Sequence, residues 1–312
     1  MNGWIILDKP LGMGSTQGVG AVKRALREGG YPKVKVGHGG TLDPLATGVL
    51  PIALGEATKL AGRMLDSHKV YEFTVAFGAE TDTLDLEGKV IATSNVRPTL
   101  ADIEAMLGQF TGPIDQVPPA YSALKIDGQR AYDLARAGKD VVLATRAVTI
   151  YELAVTPVEA GAASTGAPDS PTAPASAGVT HITLTAHVSK GTYIRSLARD
   201  IARALGTFGH VTMLRRTKAG PFTLGHAISL DLLFEKSISR DVEEICLPLT
   251  AGLDDIPALT VTPDQAELLR AGRVLIGIAA HDGLTLARDG ETPVALVEVI
   301  AGEVRVVRGF NL

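Results

Sequence analysis

The sequence predicts an α+β protein with a mixed, mainly antiparallel central sheet and a small β-rich C-terminal unit. Three observations predict it. Apolar residues alternate with period two over residues 70–77 but recur with helical spacing over 193–205. Three short apolar runs near the C-terminus are separated by Asp289-Gly290 and Ala301-Gly302, both turn signals. A content of 46% hydrophobic and 21% charged residues in 312 is that of a packed globular chain and excludes wholesale disorder.

The elements follow in order. Residues 4–7 read as a short strand, and residues 16–27 as a helix with Val19, Val22 and Leu26 at helical spacing and Ser15 or Thr16 as its cap. Residues 37–55 hold five glycines and two prolines and read as loop-rich, followed by a helical stretch at 56–65. After the strand at 70–77, residues 89–93 pair nearby beyond the Gly88 turn, and residues 99–109 and 131–137 are helical. Pro113, Pro118 and Pro119 enforce irregular or extended chain.

Residues 147–158 and 179–188 read as two strands of a hairpin-like pair. Between them, residues 159–178 are almost entirely Ala, Ser, Thr, Pro and Gly, too poor in core formers to pack, and read as a mobile insertion. In the helix at 193–205, Leu197, Ile201 and Leu205 share one face while Arg195, Arg199 and Arg203 share the other, which is expected to be free to meet phosphate. The C-terminal unit, residues 251–312, opens with a helix at 264–269 stopped by Gly272, then strands near 284–288, 293–300 and 304–310.

Composition narrows the function classes. No apolar run approaches the roughly 18 residues of a spanning helix, and Asp8 follows a very short apolar stretch, so neither a membrane protein nor a signal peptide is expected. A cytoplasmic protein is the expectation. The lone Cys246 excludes an internal disulfide and a Cys-based zinc site. Net charge is −4, but residues 251–312 alone carry five basic against nine acidic side chains. Residues 180–220 carry seven basic side chains against Asp200 alone, a local excess of six on an otherwise neutral body.

The densest special segment is Gly37-His38-Gly39-Gly40-Thr41-Leu42-Asp43-Pro44-Leu45-Ala46-Thr47-Gly48. Glycines permit close backbone approach, and Pro44 biases Asp43 away from helix, so the loop can present one carboxylate rigidly; a turn-rich connector with Asp43 as a cap is the plainer alternative. His38 and Asp43 lack companions at metal-ligand spacing, the Gly-Lys-Ser/Thr ending of a phosphate loop is absent, and no second carboxylate is paired as glycosidases require.

This segment, followed by Gly55-Glu56-Ala57-Thr58-Lys59, resembles the catalytic signature of the TruB family of tRNA pseudouridine synthases. Five further segments agree in order: 7–12 (LDKPLG), 78–85 (GAETDTLD), 118–125 (PPAYSALK), 189–195 (SKGTYIR) and 213–216 (MLRR). Together they span about residues 3–225.

The resemblance implies a pseudouridine-synthase fold and isomerisation of uridine 55 in the tRNA T-loop after base flipping. It makes Asp43 the nucleophile, with attack at the ribose C1′ or at uracil C6 left open, and Arg195 the cation that keeps the carboxylate ionised and oriented. Tyr71 matches a tyrosine that stacks on the target uracil and handles its proton; Tyr193 and Leu214 match positions that pack around the base. His38 matches a histidine that occupies space vacated by flipped nucleotides, with no acid–base role. Lys9, Gly39 and Thr41 complete the substrate-binding set. Neither metal nor organic cofactor is implied. The partner is the T-arm stem-loop of tRNA, bound by a monomer with no obligatory protein partner. Residues 1–247 are the expected catalytic domain, with a thumb over the RNA at about 120–146, and 251–312 resembles a PUA-like RNA-binding appendage, although it is acidic and has no lysine. Gly14 stands where many relatives have Ser or Thr, and Gly40 follows Gly39 where the first of the pair is often Ala or Thr; both bear on loop stiffness.

Two rivals share these residues. A catalytically silent tRNA-binding folding chaperone would use the same basic stripe. Gly14-x-x-x-Gly18-x-Gly20 with Tyr121-x-x-x-Lys125 also fits short-chain dehydrogenases, but Pro118-Pro119 and Gly128 leave little helix to align that Tyr and Lys, and no nicotinamide binding is expected.

Overall fold

The computed structural model describes residues 1–122, 124–126, 128–138, 143–156 and 178–312. In chain order, β1 (Gly3–Lys9), α1 (Ser15–Glu28), β2 (Val36–His38) and β3 (Ala46–Leu54) lead through a 3₁₀ turn into α2 (Ala61–Asp66), β4 (Lys69–Phe77), β5 (Ala79–Thr81) and β6 (Val90–Thr93). Next come α3 (Leu100–Leu107), β7 (Gly112–Gln116), β8 (Lys125–Ile126), β9 (Gln129–Arg130), α4 (Ala131–Arg136), β10 (Arg146–Val155), β11 (His181–Val188) and α5 (Ile194–Ala204). The chain ends with β12 (Gly209–Ala219), β13 (Phe222–Thr223), α6 (Leu230–Ser239), β14 (Leu247–Pro248), β15 (Ala258–Thr260), α7 (Pro263–Arg270), β16 (Gly283–Asp289), β17 (Thr292–Ile300) and β18 (Glu303–Gly309). The α+β class with a large, mainly antiparallel sheet and a small C-terminal sheet is thus as expected. Contacts divide the chain into two units. The first comprises Met1–Pro44, Gly48–Leu65 and Ala219–Leu312; the second comprises Leu45–Thr47 and Asp66–Lys218.

In the first unit β1 runs antiparallel to β3 from Gly3↔Leu54 to Lys9↔Gly48. Both faces of β1 are buried, which is why it reads as a continuous apolar run rather than an alternating one. Trp4 and Ile6 pack with Leu60, Phe222, Leu286, Leu296 and Phe310, so the C-terminal strands share this core. Ile5 and Leu7 pack with Val22, Ala25 and Leu26 of α1 and Leu233 of α6. The small sheet, ordered β15-β16-β17-β18, closes its own core of Val297, Val299 and Val304 against Ala266 and Leu269 of α7.

In the second unit β4, β11, β10 and β7 form consecutive antiparallel ladders, with β12 on the other side of β4. One face of these strands presents Phe73, Val75, Leu184, Ala186 and Ile150, covered by Leu197 and Ile201 of α5 and Ile103 of α3. The opposite face is polar: Thr74 and Thr183 share a hydrogen bond of 2.9 Å, and Thr156 and Thr185 one of 2.8 Å.

Two sequence expectations change. The loop-rich stretch at 37–55 contains β3, a nine-residue strand buried at eight positions. Its two breakers are tolerated because Gly48 adopts φ 100° and the Pro51 carbonyl still accepts the Gly39 N–H at 2.8 Å. Helix α1 is capped by neither Ser15 nor Thr16: its N-cap is Gly14, whose N–H donates to Gln17 Oε1 at 2.7 Å. Helix α6 and the full length of β12 had no counterpart in the sequence reading. The insertion at 159–178 lies outside the described residues except for Gly178, as do residues 123, 127 and 139–142 of the expected thumb.

Candidate active site

In the first unit the structure brings Lys9, His38, Gly39, Thr41 and Asp43 onto one framework. Lys9 ends β1 with its side chain fully buried, and its ammonium donates to the carbonyls of Pro10 (3.1 Å), Met13 (2.6 Å) and Pro44 (3.3 Å). The Pro44 carbonyl also accepts the Gly12 N–H at 2.8 Å. On the other side of Asp43, the Ser15 hydroxyl accepts the Leu42 N–H at 2.7 Å and donates to the Leu42 carbonyl at 3.0 Å. Residues 42 and 44 are therefore fixed independently, and Asp43 between them is half-buried. Neither entombment nor full exposure applies.

His38 ends β2, and its Nδ1 accepts the Gly40 N–H at 3.4 Å. Gly39 is sterically required: a Cβ there would stand 2.6 Å from Met64 Cβ. Thr41 is exposed at the loop surface.

In the second unit, Tyr71 on β4 and Leu214 on β12 both pack on the rim of the Phe73 core and stay half-buried. Tyr193 is the N-cap of α5, and Gln116 of β7 takes both its backbone groups: Oε1 accepts the N–H at 2.8 Å and Nε2 donates to the carbonyl at 3.1 Å. Arg195 is 6% exposed. Its guanidinium donates to the carbonyls of Thr83 (2.8 Å) and Tyr121 (3.1 Å) and lies 3.4 Å from the Asp85 carboxylate. Asp85 is itself buried and accepts the Thr83 hydroxyl and the Glu87 N–H.

The basic face of α5 is not free for phosphate. Besides Arg195, Arg199 pairs with Asp200 at 2.8 Å, and Arg203 makes a two-point pair with buried Glu80 at 2.6 and 3.0 Å. Helical periodicity showed that the arginines share a side; it could not show that Asp85 and Glu80, from distant segments, meet Arg195 and Arg203 there. Elsewhere in the stripe, Arg216 is 1% exposed, and burial, with the Arg216 charge adding to it, pushes the Lys69 ammonium down to about 8.

The chain matches the TruB family pseudouridylate synthase (N terminal domain) over residues 27–194 and the tRNA pseudouridylate synthase B C-terminal domain over 195–254. It is 64% identical over its whole length to a protein named tRNA pseudouridine synthase B from Novosphingobium aromaticivorans, covering 98% of that chain. It is 57% identical to the Zymomonas mobilis protein of the same name, again over its whole length and 96% of the relative. The chain belongs to the TruB family of pseudouridylate synthases. It is an isomerase of that class. Among solved structures, a chain of an H/ACA RNP bound to a substrate RNA containing 2'-deoxyuridine superposes with TM-score 0.70 at 23% identity, over 99% of this chain and 85% of that one. A chain of the archaeal box H/ACA sRNP Nop10-Cbf5 complex gives 0.68 at 22%, over 99% and 86%. These two likenesses show the fold.

The dehydrogenase rival loses its geometry as well as its family: Tyr121 and Ser122 are not helical and Lys125 opens a two-residue strand. The residues that sequence reasoning left without a role are supporting ones: Ser15, Glu80, Asp85 and Gln116. Glu80 and Asp85 stood inside a matched segment, so a signal existed; Ser15 was read as a helix cap, and nothing marked Gln116. No helix among the described residues is long and apolar enough to cross a membrane.

Proposed function

We propose that the protein converts uridine 55 in the T-loop of tRNA to pseudouridine, with Asp43 as nucleophile. The relatives' shared name supports tRNA as the substrate class. The observation that carries the residue assignment is the loop itself: a half-buried aspartate between two residues whose backbone positions are separately pinned by Ser15 and Lys9. A fixed carboxylate suits covalent catalysis: it bonds to one fragment as the N1–C1′ bond breaks, the base turns, C5 bonds to C1′, the carboxylate is released, and the proton lost from C5 is balanced by one gained at N1, with no redox change.

In this reading the target uridine leaves its stack first, at a cost of a few kcal/mol. His38 fills vacated space as a flat ring, with no acid–base role. Tyr71, Tyr193 and Leu214 receive the base, and Arg195 keeps the nucleophile ionised. Lys9, Gly39 and Thr41 serve the substrate through the loop: Lys9 holds it from beneath, Gly39 lets it pass Met64, and Thr41 faces outward. The acidic C-terminal unit at 251–312 remains a proposed appendage, and a monomer is the proposed working form.

The test is Asp43→Asn with an unmodified T-arm stem-loop. Pseudouridine formation should fall below detection while RNA binding stays within about threefold of the parent; substantial turnover in the variant removes the nucleophile assignment. A parent that binds the stem-loop without isomerising it would favour the folding-chaperone rival.

A further inference from the structure

We propose that His68, Tyr151 and His187 form a stacking platform in the second unit for one unpaired nucleotide of the RNA substrate, separate from the reacting uridine. The inference rests on the RNA-modifying reading above.

It starts in the pairing of β10. Ile150 opposes Val188 and Glu152 opposes His187, so Tyr151 is an extra residue without a partner across the ladder. Burial follows the interruption: Val148 and Ile150 are buried, then Leu153, while Tyr151 and Glu152 both face solvent. A regular strand of this sequence would turn Leu153 outward. The bulge returns Leu153 to the core and aims the Tyr151 ring across the polar face.

That ring meets two imidazoles. His68 lies 4.4 Å from it, centroid to centroid, with planes 29° apart, and its Nε2 is 3.1 Å from the tyrosine oxygen. His187 lies 4.9 Å from Tyr151 and 5.5 Å from His68. None of the three belongs to a buried core, and Tyr151 is still 44% exposed despite its two ring neighbours. Three rings gathered on a polar face, which also carries Thr74, Thr183, Thr185 and Glu72, do nothing for core packing, but they offer what a nucleobase stacks on.

The surroundings suit a nucleotide rather than a peptide side chain. Burial, with His68 and Lys218 adding to it, holds the His187 imidazole below its ordinary range against the opposing pull of Glu152, which favours its uncharged, flat form. Lys218 is exposed beside it, and Lys190, paired with Asp66 at 3.0 Å, is exposed near the start of β4. Lys218 offers charge to a phosphate, whereas Lys190 is already engaged by Asp66. His187 opposes Val70, the residue before Tyr71, so the platform occupies the same end of β4 as Tyr71 but the opposite face.

The experiment compares the parent with Tyr151→Ala, Tyr151→Phe and His68→Ala, measuring anisotropy of a labelled T-arm stem-loop, kcat at saturating RNA, and melting temperature. Tyr151→Ala should weaken binding about tenfold and His68→Ala about threefold, with kcat within twofold and melting temperature nearly unchanged; Tyr151→Phe, which keeps the ring, should bind like the parent. Unchanged affinity in Tyr151→Ala overturns the proposal. So does equal weakening in Ala and Phe, or a loss of binding that tracks a fall in melting temperature. A parent that isomerises the RNA while Tyr151→Ala binds normally removes this inference alone; a parent that binds through Tyr151 but never isomerises removes the catalytic reading alone.

Discussion

The loop that carries Asp43 and the helix that carries Arg195 both hold an ionisable side chain at a set place, but they do so by different means. Around Asp43 the fixing contacts fall on its neighbours' backbone: the Lys9 ammonium on the Pro44 carbonyl and the Ser15 hydroxyl on both polar groups of Leu42. Along α5 the fixing contacts fall on the charged groups themselves, through Asp85, Asp200 and Glu80. The difference teaches where each region is vulnerable. The loop fails when a buried donor is removed; the helix fails when a buried charge loses its partner.

The sharpest way to break this comparison is Lys9→Met. It removes the ammonium donor from the Pro10 and Met13 carbonyls and leaves Pro44 only its Gly12 donor, and should cost about 3 kcal/mol of stability, read by urea unfolding, with turnover falling alongside. An effect under about 1 kcal/mol would mean that the loop holds its shape without the ammonium. Next is Arg203→Ala, which strands buried Glu80. Arg203 is itself about half exposed, so the expected loss is about 1–2 kcal/mol, less than a fully buried pair would show. Ser15→Ala, losing two neutral hydrogen bonds to Leu42, should cost about 1 kcal/mol and lower kcat more than it raises KM, because it loosens the loop rather than the RNA contact.

Salt sharpens the other side. Since Arg199 and Arg203 are already paired, Arg199→Gln with Arg203→Gln should leave the slope of log Kd against log salt unchanged within about one unit; a shallower slope by two would mean that both arginines leave their carboxylates for phosphate. A further prediction concerns Lys69. Its folded ammonium titrates near 8 while the unfolded one titrates near 10.5, so between those values the unfolded chain holds a proton that the folded one has shed. Stability should therefore rise with pH over that window. Lys69→Met should flatten the rise in urea unfolding between pH 8 and 10; an identical slope would assign it elsewhere.

Much of the fold was legible because it rests on local periodicity. The α5 face, the alternation of β4 and the β16–β18 turns follow from spacing that any window of the chain reveals. β3 was missed for a physical reason: a strand buried on both faces does not alternate, and Gly48 and Pro51 carry loop chemistry that its pairing with β1 overrides. The site divided the same way. The segment bearing Asp43 stood out through its glycines and Pro44, but the free basic face expected of α5 was wrong because Asp85 and Glu80 lie more than a hundred residues away in sequence.

By itself the sequence determined the class of fold, the ordered segments that place the chain in its family, and which side chains can do chemistry, since residue type and spacing are properties of the linear chain. Only the tertiary structure decided which of those charges are engaged, how Ser15 and Lys9 pin the loop, and that a bulge turns Tyr151 toward two histidines. Those depend on partners distant along the chain, whose meeting is set by packing and ladder register, and no local pattern encodes them.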